Sequence, residues 1–317
     1  MEKRKLGKSG LTVAPLAFGG NVFGWSADEA TSFTLLDEFI AQGFNLVDTA
    51  DVYSSWVPGN RGGESETIIG KWMQARGNRD KVVVATKVGS DMGLGDGKNV
   101  TKAYILKEVE ASLKRLQTDY IDLYQTHFDS EATPVEETLE AYATLVKAGK
   151  VRAIGASNMS AARLLESLQA SEKNGYPRYE TFQPEYNLYD RPDYENNYAA
   201  ICEAQDLGVI NYYSLASGFL TGKYRNEEDI SKSSARGQKA LSYLNERGLR
   251  ILAALDKVAA EYQSTPAGVS LAWLLSRPAI AAPIASATSI PQLHELIKGV
   301  QLSLDKSVLE LLDQASA

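Results

Sequence analysis

Tyr53, Lys87, Asp48 and His127 are the residues of this sequence whose types could together move a proton, and each lies at or just beyond the end of a short apolar run. An ammonium beside a tyrosine hydroxyl favours the tyrosinate and lowers its pKa, while a carboxylate holds and orients the ammonium. Bringing a tyrosine from about 10 to about 7 takes roughly 4 kcal/mol, the scale of one unit charge at about 4 Å in an effective dielectric near 20. One lysine suffices, so the expectation is an acidified Tyr53 tuned by Lys87 and Asp48. The same inspection of strand ends returns Asp51, Ser157, Asn158, Gln183, residues 212–217 and Ser286. Taken singly, each has a structural reading, because such a carboxylate caps a helix and a buried tyrosine fills space. The combination is what points to acid-base chemistry.

Composition narrows the classes. The chain has 317 residues, 44% hydrophobic and 23% charged, as in a globular protein with a large core. A net charge of −7 argues against a nucleic-acid partner, whose phosphates require clustered Lys and Arg. The one cysteine, Cys202, excludes an intrachain disulfide, and two histidines, His127 and His294, cannot build a multi-histidine metal centre. No metal is expected. The first eleven residues carry charge without an apolar stretch, and the longest apolar runs, 269–275 and 279–285, fall far short of a membrane span. The expected location is cytoplasmic.

The elements that must position these residues follow from the apolar pattern. Residues 4–13, with a Gly7-Lys8-Ser9-Gly10 turn, read as a β-hairpin. Short buried runs at 16–19, 45–47, 82–85, 121–124, 151–154 and 180–182 alternate with amphipathic helices at 28–42, 65–76, 101–116, 135–148, 160–174 and 193–207. Runs at 209–212 and 280–284 supply two more strands, with helices at 246–261, 266–276, 290–298 and 305–312. Thr133-Pro134 opens one helix, and Gly149, Gly175 and Gly208 close others. The pattern predicts an α/β fold, a (β/α)8 TIM barrel with an N-terminal β-hairpin and long loops on the C-terminal face, as one domain over residues 1–317. A doubly wound Rossmann sheet is the rival, but Gly19-Gly20 lacks the third glycine of its fingerprint. Loops 89–99 and 226–236 are rich in Gly, Lys, Asp and Ser, and the second is expected to act as a lid.

Asp48-Thr49-Ala50-Asp51-Val52-Tyr53, Gly63-Glu64-Ser65-Glu66, Lys87 and Asp122-Leu123-Tyr124-Gln125-Thr126-His127 resemble the aldo-keto reductase family. So do residues 149–158, Gln183-Pro184-Glu185-Tyr186-Asn187, Leu220-Thr221-Gly222-Lys223-Tyr224 and Ala272-Trp273-Leu274-Leu275, in order, from the hairpin to about Leu296. The Leu220–Tyr224 segment is more similar to the bacterial and channel-β-subunit-like branches. The resemblance implies an NAD(P)H-dependent oxidoreductase that reduces aldehydes or ketones by direct hydride transfer. Tyr53 would be the general acid, Lys87 and Asp48 would tune it, and His127 would polarise the substrate oxygen.

By the same resemblance Ser157, Asn158 and Gln183 would bind the nicotinamide carboxamide and Tyr212 would stack on its ring. Leu215, Ser217, Leu220, Thr221, Gly222 and Lys223 would belong to the loop that closes over the diphosphate, and Gly20, Asn21, Gly218 and Arg236 would also bind the cofactor. Ser286, Thr288, Gln292 and Glu295 would meet the adenosine end. Here the sequence departs from the family, because Ser286-Ala287-Thr288-Ser289-Ile290-Pro291-Gln292 contains no cation for a ribose 2′-phosphate. NADPH is the expected cofactor, through Lys223, Arg225 or Arg236, and NADH is the alternative. Val22, Phe23, Trp25, Trp56 and Phe128 are assigned to an apolar pocket for a small-molecule carbonyl or alcohol. His294 is expected at the surface. Two other functions are weighed: a Schiff-base aldolase using Lys87, and a cofactor-sensing regulatory subunit with a reductase-like barrel.

Overall fold

The computed structural model describes residues 2–93, 95, 97–231 and 237–317. The chain opens with the expected hairpin, β1 (Arg4–Lys5) against β2 (Thr12–Val13). Eight parallel strands follow, largely buried: β3 (Ala17–Gly19), β4 (Leu46–Asp48), β5 (Val83–Val88), β6 (Ile121–Thr126), β7 (Val151–Ser157), β8 (Tyr179–Gln183), β9 (Gly208–Val209) and β10 (Ile284–Ala285). They pair in the order β10-β3-β4-β5-β6-β7-β8-β9. A parallel bridge between Val209 and Ile280, with Ile284 N–H donating to Asn211 O at 3.0 Å, joins the two ends of that ladder. The architecture is the (β/α)8 barrel that the apolar pattern predicts.

The outer layer contains α1 (Glu29–Ala41), α2 (Glu64–Arg76), α3 (Lys102–Leu116), α4 (Val135–Lys147) and α5 (Ala161–Asn174), followed by α6 (Pro192–Asn197) and α7 (Ala199–Ala204). Short helices α8 (Glu227–Ser231) and α9 (Gly237–Tyr243) lie in the long seventh loop, before α10 (Glu246–Glu261), α11 (Pro266–Leu275), α12 (Ile290–Gly299) and α13 (Lys306–Ser316). Asp28, Thr101, Ser160, Asn245 and Thr265 accept N–H bonds as N-caps, which is why the sequence boundaries fall near the observed ones.

Several expectations need correction. Gly208, expected to close a helix, opens β9, and that strand ends at Val209 rather than running over 209–212. The single helix over 193–207 is two, interrupted at Tyr198, whose ring stacks on Phe182 at 4.8 Å and whose hydroxyl donates to Met159 O at 3.1 Å. The eighth strand is shorter than 280–284 suggests, because Pro283 has no N–H and contributes only its carbonyl, to Ala17 N–H at 3.1 Å.

The core has two compartments. Leu6, Leu11 and Val13 of the hairpin close the lower end of the barrel over Ala17, Leu46, Val83, Ala85, Leu123 and Ala153. The larger compartment, between strands and helices, includes Val47, Val84, Tyr124, Ile154 and Phe182. Neighbouring residues such as Leu46 and Val47, Ala85 and Val84, and Leu123 and Tyr124 fall in opposite sets, as a period of two requires. Continued upward, that alternation decides which polar side chains meet.

Candidate active site

Residues two beyond the inner apolar layer point into the barrel. Above Leu46 comes Asp48, above Ala85 Lys87, above Leu123 Gln125, and above Thr181 Gln183. Register places Lys87 opposite Gln125 and Gln125 opposite Gly155. A Cβ at Gly155 would lie 2.2 Å from Thr181 Oγ1 and 3.0 Å from Gln125 Cγ, so the glycine makes room for this layer. Gln125 escaped the sequence analysis because β5 and β6 run past the apolar runs that mark them. The period-two continuation was the signal that could have found it.

Lys87 is fully buried, and its Nζ donates to Asp48 Oδ2 at 2.7 Å, Thr49 O at 2.8 Å and the Tyr53 hydroxyl oxygen at 2.8 Å. All three donors of the ammonium are used. The Tyr53 hydroxyl lies 3.3 Å from Asp48 Oδ2, while Asp48 Oδ1 accepts from Gln183 Nε2 at 2.9 Å and lies 3.5 Å from Gln125 Nε2. The His127 ring is 6.0 Å from that of Tyr53, and its buried Nδ1 has no hydrogen-bond partner. The four residues expected to act together are thus assembled.

The expected direction of tuning is reversed in this arrangement. Burial, then the Asp48 carboxylate, push the Tyr53 hydroxyl well above its ordinary value, and burial pulls Lys87 down against the pull of Asp48. The physical reason is that tyrosinate would stand in a dry layer facing a carboxylate. Burial also holds His127 well below the usual imidazole value, helped by the Lys87 charge, so the ring is neutral near pH 7.

Asp51 falls outside this group. It is buried, neither carboxylate oxygen has a hydrogen-bond partner, and burial followed by the charges of Glu66 and Glu108 pushes it well up. Its N–H donates to Lys87 O at 3.3 Å and straps the Tyr53 loop to β5. Glu66 accepts from Thr86 Oγ1 at 2.5 Å and from Arg115 Nε at 2.6 Å, which locks the outer face of β5 to α2 and α3.

Ser157, Asn158, Gln183 and Tyr212 form one network beside His127. Ser157 donates to Gln183 O at 2.8 Å; Asn158, at φ 45°, donates to His127 O at 2.9 Å and accepts the Tyr212 hydroxyl at 3.0 Å. On the first-strand side Ser286 Oγ lies 2.7 Å from Asn21 Oδ1 and 2.8 Å from Gly19 O, and a Cβ at Gly20 would meet Asp48 O at 2.9 Å. After β9, Ala216, Ser217 and Gly218 are successive left-handed residues, at φ 46°, 55° and 89°. Leu215 and Leu220 flank them, Thr221 Oγ1 donates to Gly218 O, and Gly222 is also left-handed. Lys223 folds back over this turn with its Nζ 4.8 Å from the Tyr224 ring, and among the described residues it pairs with no carboxylate. Such a turn beside a lysine suits an anion.

The other candidate cations differ. Arg225 is held by Asp256 through two hydrogen bonds, at 2.8 and 2.7 Å, and Arg236 lies outside the described residues. Gln292 Oε1 accepts from Thr288 N–H at 2.9 Å, whereas Glu295 is exposed. His294, exposed as expected, pairs with Glu38 at 2.7 Å.

The pocket assignment divides. Trp25 and Trp56 meet edge to face at 5.6 Å, Trp56 lies 6.1 Å from Tyr53, and Phe128 stacks on His127 at 4.9 Å. Val22 and Phe23 are instead fully enclosed in the core, with Phe23 stacked on Phe18 at 5.3 Å. Their assignment to the pocket is corrected, because the turn after β3 directs them inward. Half-exposed Tyr213, not assigned to the pocket, stands near enough to Tyr53 to influence it.

The fold and this assembly define a barrel oxidoreductase. Residues 15–317 match the model of the Aldo/keto reductase family, and the chain belongs to that family. It is 36% identical to the uncharacterised oxidoreductase YrpG of Bacillus subtilis, over 99% of this chain and 95% of that protein. It is 31% identical to the norsolorinic acid reductase of Aspergillus flavus, over 97% of this chain and 79% of the relative. The same identity, over 99% and 96%, relates it to a probable voltage-gated potassium channel subunit beta of Arabidopsis thaliana. The family is one of NAD(P)H-dependent oxidoreductases acting on small molecules. No helix among the described residues is long and apolar enough to cross a membrane.

Proposed function

We propose that this protein reduces aldehydes or ketones to alcohols, and catalyses the reverse oxidation, with Tyr53 as the general acid. The observation that carries the reading is the Tyr53 hydroxyl oxygen 2.8 Å from Lys87 Nζ, at the edge of a buried polar layer and facing His127. That oxygen accepts from the ammonium, and its own proton is donated to Asp48 Oδ2 over a long 3.3 Å contact that a substrate oxygen at the mouth would replace. A high Tyr53 pKa keeps the proton in place until negative charge develops on that oxygen. Neutral His127 contributes a second hydrogen bond to the same oxygen. Lys87 and Asp48 hold the tyrosine in position, and Gln183 and Gln125 hold Asp48.

A bound NAD(P)H supplies the hydride. The donors present fit it: the left-handed turn at 216–218 with Lys223 for the diphosphate, and Ser157, Asn158 and Tyr212 for the nicotinamide. Gly20 and Asn21 approach it from the first-strand side, and Ser286, Thr288 and Gln292 complete the adenosine side with hydroxyls and an amide. NADPH is the proposed cofactor, and NADH is the alternative that this cation-poor side leaves open. The test is to measure NADPH and NADH affinity by fluorescence, then oxidation of the preferred one with a carbonyl panel. Failure to bind either cofactor, or binding without any turnover, sinks the reading.

A second reading, a cofactor-sensing subunit, is favoured by the likeness to the plant channel subunit. Cofactor binding with negligible turnover and a stoichiometric partner would select it. The aldolase reading loses support because Lys87 is buried and donates to three acceptors, leaving no lone pair for a carbonyl carbon.

A further inference from the structure

The aromatic mouth above Tyr53 contains one cation that the reductase chemistry does not use. Lys98, in the loop after β5, is exposed and places its Nζ 4.7 Å from the centre of the Phe128 ring. That ring in turn stacks on His127 at 4.9 Å, so the ammonium is within about 10 Å of the group that meets the substrate oxygen. Two neighbouring cations are already paired. Lys239, over the Tyr213 ring, pairs with Glu185 at 3.2 Å, and Arg163 pairs with Asp129 at 2.8 Å and with Glu166 at 3.4 Å. Among the described residues Lys98 has no carboxylate partner. Trp56, 47% exposed, lies 6.1 Å from Tyr53, and Trp25 meets it edge to face at 5.6 Å.

Resting on the reductase reading, we propose that Lys98 selects planar carbonyl substrates bearing a carboxylate remote from the carbonyl, and that it anchors that carboxylate at the rim. The carbonyl oxygen faces Tyr53 and His127, the planar body lies between the rings of Trp56 and Phe128, and the anion reaches the Lys98 ammonium. A benzene ring with the two groups para to each other serves as the probe, because the exposed Lys98 side chain can extend to meet its carboxylate. Phe128 steers the lysine as well as the substrate, because a cation over its face is drawn to the ring quadrupole. An anchor this exposed acts on ground-state binding, so it moves KM more than kcat, and salt screens it.

The test compares kcat/KM for 4-formylbenzoate with that for its methyl ester, in the wild type, Lys98→Met and Lys98→Arg, at low and high salt. The expected wild-type preference for the carboxylate is about two- to fivefold at low salt, the scale of an exposed ion pair. It falls toward one in Lys98→Met, through KM, and in high salt, and Lys98→Arg restores it. A preference that survives in Lys98→Met, or none in the wild type, overturns the proposal. Binding of 4-formylbenzoate is measured in parallel through Trp25 and Trp56 fluorescence, without turnover. If neither compound is reduced while binding still depends on Lys98, the anchor stands and the reductase reading fails. Equal binding by the wild type and Lys98→Met rejects the anchor whatever the turnover.

Discussion

Tyr53 shows how a single hydroxyl can be set for its task by burial rather than by charge alone. Replacing it with phenylalanine removes the proton while keeping the ring against Trp56 and His127. Tyr53→Phe is expected to lower kcat about 10²- to 10⁴-fold, the usual contribution of a positioned general acid, with cofactor affinity retained. Titration of NAD(P)H against both proteins checks the second half, and an unchanged rate removes Tyr53 as the acid. His127 makes a prediction about stability. Its folded pKa lies below the ordinary value, so between that depressed value and about 6.5 the unfolded chain binds more protons. Stability contributed by neutral His127 is therefore complete above about pH 6.5 and is lost as the pH falls through this window. Melting temperatures from about pH 7 to about pH 5 should drop less in His127→Gln than in the wild type. Parallel curves would contradict the buried neutral ring.

At the scale of elements, the site depends on how closely α2 and α3 approach. A Cβ at Gly70 would lie 2.3 Å from Arg115 O and 2.8 Å from Leu116 Cα, both backbone atoms that cannot yield locally. Gly70→Ala gains about 1 kcal/mol of helix propensity, yet overpacking costs typically 1–3 kcal/mol. The second effect wins, because shifting α3 also pulls Arg115 from Glu66. A lower denaturation midpoint is expected, and a raised one would show that α3 moves freely. The strands β5 and β6 were legible as apolar runs only as far as Ala85 and Tyr124. Their polar ends carry Lys87, which residue type and position already mark, and Gln125, which register alone recovers. The helix over 193–207 was legible as helix but not as two pieces, since the docking of Tyr198 on Phe182 is a contact between distant segments.

Across the whole molecule, the barrel is closed by contacts between the two ends of the chain. Arg4 of the hairpin donates to Leu275 O at 3.1 Å and to Ile280 O at 2.6 Å, fastening the lower plug to the segment that bridges Val209. Arg4→Met keeps most of the stem and strands these carbonyls, at a cost of about 1–3 kcal/mol. The melting temperature should fall by several degrees, about 2–4 °C per kcal/mol in larger domains. An unchanged melt would mean that strand pairing alone holds the closure.

Local pattern determined much of this protein. The eight apolar runs, the helices between them and the polar residues at their ends follow from periods of 2 and 3.6, which a short window contains. The types in the motif from Asp48 to Tyr53, with Lys87 and His127, were enough to place the chain in its family. Tertiary structure alone decided what those residues feel. Lys87 spends its three donors on Asp48, Thr49 and Tyr53, Phe23 turns into the core while Trp56 stays at the mouth, and Tyr53 is pushed up rather than down. These outcomes are sums of desolvation and distance over segments far apart in sequence, and no local window contains those terms.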